Sequence, residues 1–136
     1  MAELIVGWAP VFLRAALGLL MVGHGLPKVK GFSQTAGWLK GIGFKPGSFW
    51  AFLLVISEFI GGLALIAGVF TRVAAALIIF EFITILYLKV FKWKKNFASG
   101  EAEWDWDLLV LAVAAALFLL GAGKLSIDSY IGWQFG

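Results

Sequence analysis

Four apolar stretches, at about residues 4–24, 48–69, 71–91 and 107–122, take up most of this chain of 136 residues. As helices rising ~1.5 Å per residue, the first three can each cross a ~30 Å hydrocarbon core, and the fourth is marginal. Inside that core every backbone N–H and C=O has to be bonded within the protein, so such stretches fold as helices. With 62% hydrophobic and 14% charged residues, the chain has nothing left for a separate soluble domain. The expectation is an all-α integral membrane four-helix bundle, a single transmembrane domain over residues 1–136, passing several times through the cell membrane. The first stretch has no basic segment before it and no small-residue cleavage site after it, so it is expected to stay in the mature protein.

The connecting segments are read from the same physics. Lys45-Pro46-Gly47 breaks the chain before the second span, and a tight turn around Gly68 to Arg72 makes the second and third spans an antiparallel hairpin. Over about residues 32–44 the apolar positions Phe32, Ala36, Leu39 and Ile42 recur at helical spacing beside Ser33, Gln34 and Lys40, which predicts a short helix lying in the interface. The loop over 92–106 changes sign, from Lys92, Lys94 and Lys95 to Glu101, Glu103 and Asp105, and Trp93, Trp104 and Trp106 flank it as an aromatic belt. The tail carries Tyr130, Trp133 and Phe135 and is expected to rest on the membrane surface. Lysine and arginine concentrate in the loops after spans one and three, leaving Arg72 and Lys124 opposite. That asymmetry places loops 25–47 and 92–106 in the cytoplasm and both termini outside. The net charge of +3 is therefore a topology signal rather than a nucleic-acid surface.

Three ionisable residues fall near the middles of their spans: Arg14, Glu58 and Glu81. Left unpaired at helix centres they would cost roughly 8 to 10 kcal/mol in total. They are expected to face one another across close-packed helices, with small residues beside them: Gly18 and Gly25, Gly61 and Gly62, and Ala74. One arginine against two carboxylates leaves surplus negative charge, and two adjacent carboxylates in a low-dielectric interior do not both ionise. Two readings stay open: an ion pair that fixes helix register, or a proton-carrying group beside a small-substrate pocket. A second grouping, expected at the cytoplasmic mouth, joins His24 and Lys28 at the end of span one to Trp104, Asp105 and Asp107 at the start of span four. There an imidazole beside a carboxylate can bond a quinone carbonyl or pass a proton, or His24 simply caps a helix end.

The chain has no cysteine and one histidine. Haem, iron–sulfur clusters and thiolate metal sites are therefore not expected in it, and any electron chemistry needs a bound organic carrier or a partner subunit.

Several stretches resemble the DoxX-like family of small membrane proteins, to which the DoxD subunit of thiosulfate:quinone oxidoreductase is related. They are Leu13-Arg14-Ala15-Ala16-Leu17-Gly18, His24-Gly25-Leu26-Pro27-Lys28, Glu58-Phe59-Ile60-Gly61-Gly62, Gly68-Val69-Phe70-Thr71-Arg72 and Gly121-Ala122-Gly123-Lys124-Leu125-Ser126-Ile127-Asp128. The resemblance covers nearly the whole chain, apart from the charged 92–107 loop. It implies a four-helix membrane protein working with redox proteins near the quinone pool. The expected function is a membrane subunit of a redox complex that anchors a partner and helps form a quinone or proton-handling site, with Arg14, Glu58, Glu81 and His24 handling protons. The rival expectations are a non-catalytic membrane anchor or assembly subunit whose buried charges are structural and, behind it, a small-molecule transporter; the expected partners are the lipid bilayer and other subunits of a membrane redox complex or further copies of the chain.

Overall fold

The computed structural model describes residues 1–98, 100 and 103–133, so Glu101 and Phe135 lie outside the described residues. The described residues are helical without strands. We number the helices α1 (Ala2–Lys30), α2 (Phe32–Gly41), α3 (Gly47–Ala67), α4 (Thr71–Lys92), α5 (Asp105–Leu120) and α6 (Ile127–Tyr130). Three of them, α1, α3 and α4, are long and apolar enough to cross a membrane. No more than 33% of the most apolar window of any of these is buried within the protein, so the remainder forms an apolar outer surface suited to lipid. With 16 residues, α5 is ~24 Å long, short of the ~30 Å hydrocarbon thickness.

Side chains from all four long helices meet in one core: Leu17 and Met21 from α1, Leu65 from α3, Ile78 and Phe82 from α4, and Val110, Ala114 and Leu117 from α5. Glycines set the register between α1 and α3. A Cβ on Gly18 would lie 2.7 Å from Gly62 O, and one on Gly25 would lie 2.6 Å from Phe59 N, so the two backbones touch at both levels.

The helix that carries the first apolar stretch is longer than that stretch at both ends. The helix runs to Lys30, past residue 24, and after a break at Gly31 (φ −108°, ψ 41°) the chain is helical again to Gly41. The bonds Gly31 N to Pro27 O at 2.8 Å and Thr35 N to Gly31 O at 3.0 Å carry the helical pattern across the break. Most of the expected 25–47 loop is thus helix, and only residues 42–46 connect it to α3. Against the start of α3 packs α2, with Gly47 on the Ala36 carbonyl, where the backbones come together because Gly47 has no side chain.

Two of the long helices contain a π-helical turn, Ile56–Ile60 in α3 and Leu88–Lys92 in α4. At the other end of the hairpin, Gly68 (φ 69°) and Phe70 (φ 47°) both take left-handed conformations to turn α3 into α4. The tail packs on this turn. Asp128 N donates to Gly68 O at 2.9 Å, and the Trp133 and Phe70 rings meet edge to face, 5.2 Å between centroids.

Candidate functional site

Halfway along the α3–α4 hairpin the structure gathers Ser57, Glu58 and Glu81. Ser57 and Glu58 are the eleventh and twelfth of the 21 residues of α3, and Glu81 is the eleventh of the 22 residues of α4. All three are buried, with relative exposures of 5%, 4% and 7%. Two antiparallel helices of nearly equal length joined by a short turn bring their midpoints together, so this pairing follows from the hairpin. The π turn at Ile56–Ile60 carries Glu58 itself.

The cation facing this pair is Lys28. Its ammonium forms an ion pair with Glu58 Oε2 and donates a second hydrogen bond to His24 O at 3.2 Å. The long aliphatic stem lets a residue near the end of α1 reach inward. Glu81 lies against Glu58 and Ser57, near enough to share hydrogen bonds with both, and within electrostatic reach of Lys28. One ammonium neutralises one carboxylate, and the second carboxylate is left over in a water-poor interior where an unmatched charge is costly.

Arg14 does not join this cluster, which corrects the expected three-charge centre. Because Gly18 sits on Gly62 and Gly25 on Phe59, Arg14 comes level with the end of α3. Its guanidinium donates to Ala122 O at 3.0 Å, Leu65 O at 3.1 Å, Ile66 O at 2.7 Å and Leu125 O. Leu65 and Ile66 belong to the last turn of α3 and Ala122 and Leu125 to the segment after α5; of the four carbonyls, Leu65 O also accepts from Gly68 N at 3.2 Å. Nearby Asp128, 2% exposed, accepts from Phe70 N at 2.8 Å and Thr71 N at 3.0 Å and so caps the first turn of α4. Arg14 and Asp128 together close one end of the bundle.

The expected mouth at the other end does not assemble either. His24 is exposed, and its Nδ1 bonds Leu20 O of its own helix at 2.9 Å rather than a carboxylate. Asp107, 4% exposed, pairs with Lys89 at 2.6 Å, and Lys89 is again a π-turn residue. Asp105 lines a pocket of about 420 Å³ with Lys89, Ala98, Gly100, Glu103 and Trp106. Trp104 stacks at a tilt on Phe97, ring centroids 4.7 Å apart. The physical reason is separation along the bundle: Asp105 and Asp107 open α5 beside the end of α4, whereas His24 stands next to Gly25, level with Phe59.

Sequence reasoning missed Ser57 as a member of the central cluster and placed Lys28 in the separate grouping at the cytoplasmic mouth. The available signal for Lys28 was the glycine stripe through Gly18 and Gly25, which fixes α1 against α3 one turn before it. Among the described residues no three His, Cys, Asp or Glu side chains converge as a metal site would require.

Comparison with known proteins adds an independent line. The DoxX family model matches residues 9–93, which include Arg14, His24, Lys28, Glu58 and Glu81. A protein of Bacillus subtilis (strain 168) described as "Putative oxidoreductase CatD" is 31% identical over 121 residues, covering 89% of this chain and 85% of that relative. No solved structure matches the chain. On the family match over most of its length, and on a relative covering nearly all of it, this chain belongs to the DoxX family.

Proposed function

We propose that this chain is a membrane component of a redox system, in which Glu58, Glu81 and Lys28 handle protons for a quinone. The observation that carries the reading is Glu81, a second buried carboxyl group beside a carboxylate already matched by Lys28. An ion pair kept only for packing needs one acid, whereas a group that takes and gives a proton has to be free to change its bonding. Reduction of a quinone by two electrons takes up two protons. Lys28 pairs with Glu58, and Glu81 and the Ser57 hydroxyl offer a donor or acceptor beside that pair. The electrons come from a partner, since this chain has no cysteine and one histidine. The description of the Bacillus subtilis relative, "Putative oxidoreductase CatD", supports the same class of chemistry.

In this proposal α5 also crosses the bilayer, with the 121–126 segment completing its length, and α2 lies toward the interface. The end carrying Lys40, Lys45, Lys92, Lys94 and Lys95 faces the cytoplasm, and both termini lie outside. The protein works in the cell membrane with other subunits or with further copies of itself.

The test is complementation of a strain lacking the protein, with the quinol fraction of the membrane quinone pool measured by mass spectrometry. Wild type is expected to restore the fraction, and Glu81→Gln to fail at equal membrane abundance. Full restoration by both Glu81→Gln and Glu58→Gln would remove the proton-handling role. In that event the cluster is a packing device and the chain an anchoring subunit. Arg14 favours that second reading for itself, since its hydrogen bonds end on backbone carbonyls.

A further inference from the structure

The sequence has no aspartate or glutamate between Glu3 and Glu58, and none between Glu81 and Glu101. Both gaps carry lysines, and the fold brings five of them to one corner of the bundle, where α3 begins and α4 ends. A Cβ on Gly47 would lie 3.1 Å from Lys40 Cβ, so the end of α2 stands against the start of α3, with Lys45 in the connection between them. From α4, the Lys92 ammonium reaches across to this connection and donates to Ile42 O at 3.4 Å. Lys94 and Lys95 follow directly. Lys95 N bonds back to Lys89 O at 2.8 Å around Lys94, which takes a left-handed conformation (φ 48°) that glycine or asparagine adopts at lower cost. Lys40, Lys45, Lys92, Lys94 and Lys95 are all exposed, and among the described residues none of the five forms an ion pair.

The described acidic groups of this end are engaged elsewhere. Lys89, three residues before Lys92, pairs with Asp107 at 2.6 Å and donates to Glu103 O, and Asp105 lines the pocket beside it. These carboxylates collect around the start of α5, so the α2–α3–α4 corner holds five cations unmatched by any of them. Like charges held close together repel unless an anion is brought in. Just inward from the lysines the exposed side chains are apolar: Phe49 and Phe52 on α3 are 51% and 55% exposed, and Phe91 on α4, next to Lys92, is 70% exposed. A water-soluble acidic protein would match the charge and leave these rings unused. A phospholipid matches both, since its phosphate sits at the water boundary and its acyl chains fill the hydrocarbon directly below.

We propose that this corner binds the head group of an anionic phospholipid, its phosphate held between the lysines of the α2–α3 side and those of the α4 end, its acyl chains resting on Phe49, Phe52 and Phe91. Lysine suits the task, as a point charge on a flexible stem that reaches from an apolar helix surface to the head-group layer. The bound lipid adds a bridge between the end of α4 and the α2–α3 connection, alongside the bond from Lys92 to Ile42 O. The site lies on the outside of the bundle, apart from Glu58 and Glu81, and does not depend on the quinone reading.

The test uses the purified full chain in neutral detergent micelles, titrated with dioleoylphosphatidylglycerol or dioleoylphosphatidylcholine, with bound lipid counted by native mass spectrometry. The anionic lipid is expected to bind more tightly by at least the roughly 25-fold that two lysines contribute, at about fivefold each near an anionic head group. Lys40→Gln with Lys45→Gln, and separately Lys94→Gln with Lys95→Gln, should each remove about that much and leave phosphatidylcholine binding unchanged. Lys124→Gln, at the opposite end, is the control and changes neither. All of these side chains are exposed, so the variants keep the fold, which circular dichroism checks. Equal affinity for the two lipids, or a loss with only one of the two pairs, overturns the shared site. So does an equal loss in Lys124→Gln, which would reduce the effect to net charge. Displacement of the lipid by inorganic phosphate at equal concentration also overturns it, by assigning the lysines to a soluble anion.

Discussion

Replacing Arg14 by methionine removes the donor for the carbonyls of Leu65, Ile66, Ala122 and Leu125 at one stroke. The four are not equivalent. Leu65 O also accepts from Gly68 N at 3.2 Å and keeps a partner. Ala122 O is buried and is left without one, which costs about 2 kcal/mol for an unsatisfied buried acceptor. Ile66 O and Leu125 O are bonded in part-buried positions, where water can replace some of what is lost, so roughly 1 kcal/mol each is appropriate. The worked loss is about 4 kcal/mol, a large fraction of a typical folding stability. Arg14→Lys keeps the charge but concentrates the donors on one nitrogen, and should recover less than half of it. The measurement is equilibrium unfolding of wild type, Arg14→Met and Arg14→Lys in mixed micelles, followed by circular dichroism. If Arg14→Met stays within about 1 kcal/mol of wild type, the idea that this guanidinium holds the ends of α3 and α5 together is wrong.

Other perturbations separate the remaining contacts. Gly25→Ala places a methyl group 2.6 Å from Phe59 N and should destabilise by roughly 1–3 kcal/mol, whereas Gly23→Ala, with open space at its Cβ, should be close to neutral in the same unfolding assay. Asp128→Ala removes the acceptor for Phe70 N and Thr71 N and should cost about 1–2 kcal/mol, with Asp128→Asn milder. Glu58→Gln leaves the Lys28 ammonium, whose side chain is 27% exposed, without its carboxylate and should cost about 2 kcal/mol. The paired change with Lys28→Met should restore much of that, a coupling a double-mutant cycle reads directly.

The helical class, the hairpin of α3 and α4 and the central position of Glu58 and Glu81 were legible because hydropathy and span length set them directly. Arg14 was misplaced for a specific reason: the middle of an apolar run was equated with the middle of the bundle. In α1 those differ, since the helix has 29 residues and its register comes from two glycine contacts, and its first turns extend beyond the ends of α3 and α5. Lys28 looked like a loop charge because a lysine ends a hydropathy window whichever way its side chain turns. His24 was set at the mouth by the same counting. Asp128 drew attention only through the family resemblance, because a carboxylate in a short polar tail has no periodic signature. The short α5 was the element whose length the sequence already left marginal.

Among the described residues, two side-chain ion pairs begin in a π turn, Glu58 in one and Lys89 in the other. A π turn holds one residue more than an α turn, so it offsets everything on either side of it by about 100° around the helix axis. Deleting one residue within Ile56–Ile60 would restore an unbroken α ladder and keep both flanking halves helical. It would also swing the Gly61-Gly62 face away from Gly18 if Glu58 kept its place, or swing Glu58 toward lipid if the glycines kept theirs. The site and the helix contact beside it thus depend on a single inserted residue. Shortening α3 by one position is a way to detach the charge from the bundle centre without changing any side chain that touches it.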